Sequence, residues 1–176
     1  RFGGYIKDFD PSDVLDRKEA RRMSRFQQFA MVSADEALRE AGLTEIDDEL
    51  AVRAGCIIGS GIGSMSTMEE QYTVLTERGP SRVSPFVVPM MISDLAAGHV
   101  SIRYNLRGIN FAIVSACATG SHSIGEAAEG HALITGGSGI AIGLPDNYRR
   151  QGKLAPQSDP GALPDIPGHC AILAGS

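Results

Sequence analysis

The 176-residue chain has no tryptophan, only three cysteines, and aromatic residues amounting to 6%. Cys56, Cys117 and Cys170 are odd in number and widely spaced, so they suggest neither a disulfide framework nor a metal-ligand cluster. A reducing, cytoplasmic setting is expected, with no metal or cofactor. No apolar run is long enough to span a bilayer, and the opening RFGGYIKDFD lacks the apolar centre of a signal peptide, so no membrane partner is expected. An initiating Met is missing too, and the chain is expected to begin inside a longer protein. Positive charge is in deficit: 16 Lys and Arg against 21 Asp and Glu leave a formal net charge of −5. No overall basic field therefore draws nucleic acid.

What is present suits a globular fold, with 43% hydrophobic and 21% charged residues. DRKEARRMSRFQQFAMVSADEALREAG predicts one long helix over 16–42. Asp16 and Glu19 have capping-box spacing. Met23, Phe26, Ala30, Ala34, Ala37, Leu38 and Ala41 recur at steps of three and four as one apolar stripe, and Gly42 is a suitable stop. AVRAGCIIGS predicts a buried strand running into the glycine loop GSGIGS, and MSTMEEQYTVLTERG a weaker helix ending at Gly79. Pro85 and Pro89 bracket an irregular approach to a third helix, MMISDLAAGHVSIRYN. NFAIVSA predicts a second buried strand, which opens into a fourth helix at SACATGSHSIGEA. ALITGGSGIAIG is expected to hold one more strand. From Leu144 to Ser176 there is no sustained period, and prolines at 145, 156, 160, 164 and 167 predict an irregular or disordered tail. Strands alternating with helices place the chain in the α/β class, with an at least partly parallel sheet.

Three features carry chemistry. Gly59, Gly61 and Gly63 follow a strand, which invites a phosphate-binding reading. Ser64 stands where a dinucleotide loop needs its third glycine, and no Gly-Lys-Ser/Thr ending follows. A tight turn where backbones pass closely is the competing reading. Cys117 lies where a strand turns into a helix among small residues, Ala116, Ala118, Thr119, Gly120 and Ser121. The helix's free N–H groups and positive end would favour a thiolate and could hold an oxyanion. An inert core cysteine fits the pattern as well. His122, about 140° around the helix from Cys117, is poorly placed to act on it. His99 reads as a satisfied structural residue, and His131 and His169 fall in or near the irregular region. Finally, Arg17, Lys18, Arg21, Arg22 and Arg25 gather at a helix N-terminus, where the dipole disfavours cations. They form either a solvated face or a surface for an acidic partner.

Taken in order and spacing, KDFDP…DRKEARRMSRF, GSGIGS, SPFVVPMMISDLAAGHVSIRYNLRG and VSACATGSHSIGEA resemble the β-ketoacyl-acyl-carrier-protein synthases. The likeness is to the elongating synthase II type of fatty-acid synthesis, and it runs from about Ile6 to Ala128. It implies part of the N-terminal half of a thiolase-like fold over 1–143, followed by a tail of unknown origin over 144–176, and a homodimer. It implies that Cys117 takes an acyl chain from acyl carrier protein before condensation with malonyl-carrier protein, its backbone N–H contributing to the oxyanion hole. Ile62, Phe86 and Val87 would line the acyl pocket, and Val87, where relatives often carry Phe, would widen it. Arg17, Lys18, Arg21, Arg22 and Arg82 would dock the acidic carrier. The family's His-Gly-Thr and Gly-Gly-His-Asn motifs do not occur here, so complete condensation by this polypeptide alone is not expected. A non-catalytic chain-length-type partner subunit, an inactive fragment and a nucleotide-binding domain on the Gly59–Gly63 loop are the alternatives; chain-length-type subunits typically lack the active-site cysteine, so Cys117 argues against the first.

Overall fold

The fold begins with a helix cap. In the computed structural model, which describes residues 6–127, 134–136, 139–144 and 169–174, the Asp16 carboxylate accepts the N–H groups of Lys18 (2.6 Å) and Glu19 (2.8 Å). Glu19 Oε2 reaches back to the Asp16 N–H at 3.0 Å, completing the expected capping box. The Glu19 and Lys18 N–H groups hold the Asp16 carboxyl below its ordinary pKa. Helix α1 (Arg17–Ala20) then stops after one turn, and α2 (Arg25–Glu40) starts afresh.

The single long helix predicted over 16–42 is thus two. The reason is local. Ser24 is extended (φ −71°, ψ 164°), and its N–H is taken by Gln27 Oε1 at 2.9 Å, which starts a new helix. Gln28 Nε2 donates to the Ala20 and Met23 carbonyls at 2.8 and 3.1 Å, satisfying acceptors that the break leaves open. The apolar stripe survives the break. Ala30, Ala34, Ala37 and Leu38 are buried in the core, with Met23, Phe26 and Ala41 packed against it. Gly42, at φ +69°, ends the helix as expected.

The rest follows in chain order: α3 (Asp48–Ala51), β1 (Cys56–Ile58), α4 (Met65–Arg78), α5 (Val87–Met91), α6 (Leu95–Tyr104), β2 (Asn110–Phe111) and α7 (Thr119–Glu126). Strands β3 (Ile134–Gly136), β4 (Gly139–Leu144) and β5 (His169–Ala174) complete a sheet of order β2-β1-β3-β4-β5. Strand β1 runs parallel to β2 and β3, as an α/β reading requires, while β3/β4 and β4/β5 are antiparallel. Helices α2 and α6 pack on each other, with Ala96, Ala97 and Val100 of α6 meeting the α2 stripe in one core. These small side chains allow the helix backbones a close approach.

Three strand expectations change. AVRAGCIIGS yields only Cys56–Ile58, because α3 still occupies Ala51. NFAIVSA yields only Asn110–Phe111, and Val114 is 59% exposed. Its partner β1 is three residues long, and β2 pairs with nothing else among the described residues. ALITGGSGIAIG makes two antiparallel strands rather than one, since two residues, Gly137-Ser138, separate two apolar runs. Within the segment expected to be irregular, the apolar run HCAILA forms β5 against β4. Residues 145–168 and His131 lie outside the described residues.

Glycines settle how β1 meets its neighbours. A Cβ on Gly59 would lie 2.3 Å from Thr119 Cγ2, 2.6 Å from Ser123 Oγ and 2.8 Å from the Ile113 carbonyl oxygen. Gly59→Ala is therefore expected to cost about 2–3 kcal/mol through overpacking. Urea unfolding of the two chains should show a lower midpoint at unchanged slope.

Candidate functional site

Close packing brings GSGIGS and SACATG together, although they are more than fifty positions apart in sequence. Gly59 sits against Thr119 and Ser123 at the start of α7. A Cβ on Gly61 would lie 4.0 Å from Ala116 Cα, so the loop passes directly beside the turn that carries Cys117. Farther along, Gly63 (φ +81°) faces the Met91 carbonyl, which accepts the Ser64 N–H at 3.0 Å, and Ser93 Oγ donates to the Ser60 carbonyl at 3.3 Å. The loop is wedged between the Cys117 turn and the α5–α6 junction. Of its two readings, the tight turn with close backbone passage is the one built here.

The Cys117 turn is an elbow. Residues Ala116–Ala118 form a short 3-10 turn that runs directly into α7. Ala116 has φ +50°, a left-handed conformation that costs an L-residue about 1–2 kcal/mol. Ser115 is held on both sides of its backbone: its N–H donates to Thr119 Oγ1 at 2.9 Å and its carbonyl accepts the Ala118 N–H at 3.0 Å. Its Oγ lies 2.8 Å from His122 Nδ1. Cys117 projects from this strained turn into solvent. Cys56, by contrast, is fully buried in β1, where desolvation pushes its thiol far above the ordinary range. Cys117 is the reactive candidate and Cys56 the inert core cysteine.

Of the histidines, His122 bonds to Ser115, and no hydrogen bond joins it to Cys117 among the described residues. His99 is not the satisfied residue expected from sequence. Its Nε2 is buried without a partner among the described residues, and burial holds its pKa below the ordinary value. His169 lies in β5. Sequence reasoning missed Ser115 and Thr119; their signal was the spacing Ser115, Thr119, His122, which puts the last two on one helical face.

Of the pocket candidates, Ile62 is in the loop itself, while Phe86 and Val87 stand at the start of the helix whose last residue, Met91, meets Gly63. Ile62, 71% exposed, sits between Gly61, which faces Ala116, and Gly63, which faces Met91. Phe86 is exposed just before α5, and Val87, half-buried, opens it. Gln27, fully buried in α2, ties down this segment by donating to the Pro89 carbonyl at 2.6 Å. A cleft of about 360 Å³ lies elsewhere, between α2 and the Asp10–Val14 turn, and none of the site candidates lines it.

The basic residues do not share one helix start. Arg17 and Lys18 are on α1, Arg21 and Arg22 are in the break, and Arg25 is the first residue of α2. All five are exposed. The Arg22 guanidinium lies over the Phe86 ring, 5.1 Å from its centroid, so the basic surface adjoins the SPFVVP segment. Arg82 is exposed in the 3-10 turn Pro80–Arg82, four residues before Phe86.

The family model of the beta-ketoacyl synthase N-terminal domain matches residues 1–148. A 3-oxoacyl-[acyl-carrier-protein] synthase 2 of Staphylococcus aureus is 51% identical over 145 residues, covering 79% of this chain and 35% of the relative. One from Synechocystis sp. is 45% identical over 148 residues, covering 81% and 35%. The chain thus spans about a third of the length of these relatives. Among solved structures, a beta-ketoacyl synthase from Burkholderia phymatum superposes with TM-score 0.56 at 27% identity, over 80% of this chain and 33% of that one. A type II polyketide ketosynthase, solved in complex with its acyl-carrier protein, superposes with TM-score 0.64 at 21% identity, over 78% and 39%.

His99 supplies a pH test. Its folded pKa is depressed, so on acidification the unfolded imidazole takes up a proton that the folded ring resists. Stability should therefore fall as pH drops below about 6.5, the ordinary histidine value. Chemical unfolding of His99→Gln should show a shallower loss over that window than the parent chain.

Proposed function

Since this chain belongs to the β-ketoacyl synthase family, we propose that Cys117 accepts an acyl group from acyl carrier protein in fatty-acid elongation. The observation that carries this reading is the elbow: an exposed thiol on a strained turn at the N-terminal end of α7. The thiolate is the nucleophilic form of such a thiol. The thiolate attacks the thioester carbonyl, a new sulfur–carbon bond forms, and the carrier's thiolate leaves and takes a proton. The Cys117 N–H, at the same helix end, would help hold the oxyanion. In the second half of the cycle, malonyl-carrier protein loses carbon dioxide. Its carbanion then attacks the acyl-cysteine, giving 3-ketoacyl-carrier protein and freeing the Cys117 thiolate. Cys117 serves both halves, first as acceptor of the acyl group and then as its leaving group.

Ile62, Phe86 and Val87 are proposed to shape the start of the acyl pocket, beside the loop that abuts the elbow. Arg17, Lys18, Arg21, Arg22 and Arg82 are proposed to dock the acidic carrier. Charge attraction would steer it toward the Phe86 side of the surface and weaken as salt rises. A homodimer is proposed as well. Met65, Met68, Tyr72 and Leu75 put an exposed apolar stripe along α4, and Val114 and Ile109 flank the edge strand β2. Apolar area of this kind on a helix and a sheet edge suits burial against a second copy.

Incubation with acyl-carrier thioester, followed by peptide mapping, should place an acyl group on Cys117 and leave Cys117→Ala unmodified. An unmodified parent chain would reject the reading. Reversing charge in Arg21→Glu with Arg22→Glu should lower the acylation rate about tenfold at low salt, with a smaller effect at high salt. In sedimentation, the parent chain should run as a dimer, and Tyr72→Glu should shift it toward monomer.

A further inference from the structure

We propose that Ser115 and His122 form a clamp that sets the pose of the Cys117 thiol, making His122 a positioning residue of the elbow. The inference rests on the reading of Cys117 as the nucleophile and adds to it a role for a side chain that does not touch the thiol. Ser115 is the last residue before the strained Ala116, so whatever fixes Ser115 fixes where the next two residues point. Its three polar groups are all engaged by the same short stretch: N–H to Thr119 Oγ1 at 2.9 Å, carbonyl from the Ala118 N–H at 3.0 Å, and Oγ against His122 Nδ1 at 2.8 Å.

Thr119 and His122 are three apart on α7, hence on one face, and both reach back to the residue two before Cys117. Thr119 is itself immobilised. It is buried, its methyl abuts Gly59, and its carbonyl accepts Ser123 Oγ at 2.9 Å. His122 is exposed, and its hydrogen bond is the part of the clamp that packing does not already enforce. With the ring neutral at Nδ1 the serine hydroxyl donates to it. Loss of that bond lets Ser115 turn, relaxes Ala116 out of its left-handed conformation and carries Cys117 away from the positive end of α7. The thiol then leaves the pose in which it meets an electrophile.

The test is the rate of Cys117 alkylation by iodoacetamide on the full chain, read by peptide mapping. His122→Ala and Ser115→Ala should each slow alkylation about five- to tenfold, consistent with loss of one hydrogen bond that holds the thiol's pose. The double variant should be no slower than either single, since both remove the same bond. His122→Asn, whose amide can still meet Ser115 Oγ, should restore the rate to within about twofold. Thermal midpoints of the variants should stay within about 2 °C of the parent, as expected for an exposed side chain.

Parent-like alkylation in His122→Ala, multiplicative slowing in the double variant, or no recovery in His122→Asn would each overturn the clamp. If His122→Ala does not fold, Ser115→Ala, which removes a single oxygen, decides the matter by the same rate. The two readings fail separately. Clamp-dependent alkylation without acylation by carrier thioester would sink the catalytic reading and keep the clamp; normal acylation in His122→Ala with an unchanged alkylation rate would do the reverse.

Discussion

The absence of a side chain at Gly59 is the constraint on which the site depends. Three atoms from the Ile113–Ser123 stretch occupy the space a Cβ would need. That contact lets β1 continue into a loop lying flush against the start of α7, and it places Gly61 next to Ala116. Glycine is usually discussed for its backbone freedom, but here its smallness matters more. At Gly63 both properties are used, with φ +81° and a carbonyl where a side chain would be. The same principle joins β1 to β2 at their start, where Gly55 and Gly108 bring the Ala54 and Ile109 backbones together.

Around this contact the molecule uses one residue type for opposite ends. Cys56 and Cys117 stand at the beginnings of the two routes into the site, one inside β1 and one beyond β2. Cys56 is desolvated and its thiol is held protonated. Cys117 is exposed on a turn whose neighbour carries backbone strain. What separates them is not sequence context alone, since both follow small residues; it is that β1 has neighbours on both sides in the sheet while the chain after Phe111 leaves the sheet. Strain of this sort persists only where surrounding bonds over-determine it, and the bonds on Ser115 do so.

The basic residues near α1 and the SPFVVP segment are joined by the break between α1 and α2. Because the chain kinks at Arg21–Ser24, Arg22 covers Phe86 while Gln27, one turn into α2, holds the Pro89 carbonyl. An unbroken helix would have carried those cations round its axis in regular steps. Arg103 of α6 steadies the short α1 from the other side, pairing with Glu19 at 3.1 Å and donating to the Val14 carbonyl. Exposed ion pairs contribute little stability singly, so this one is better regarded as orienting α1 than as holding the fold together.

Much of this was legible in the residues themselves. The α2 stripe, the Asp16–Glu19 box, the stops at Gly42 and Gly79, the α/β class and the family likeness all rest on local pattern, and local pattern is what a helix period, a cap or a motif is made of. The break at Ser24, the brevity of β1 and β2, the pairing of HCAILA with β4 and the orphaned His99 nitrogen were not. Each depends on contacts that a period or a motif does not carry: Gln27 and Gln28 taking up backbone groups at the break, α3 occupying Ala51, an available strand edge, a buried ring nitrogen without a partner among the described residues. Which residues can do chemistry is already written in the chain, because nucleophilicity, charge and backbone permissiveness belong to residue types and their near neighbours. Which cysteine meets solvent is settled by packing in three dimensions, and so is the bonding of Ser115 to both Thr119 and His122, because spacing only offers such contacts and the folded geometry makes them.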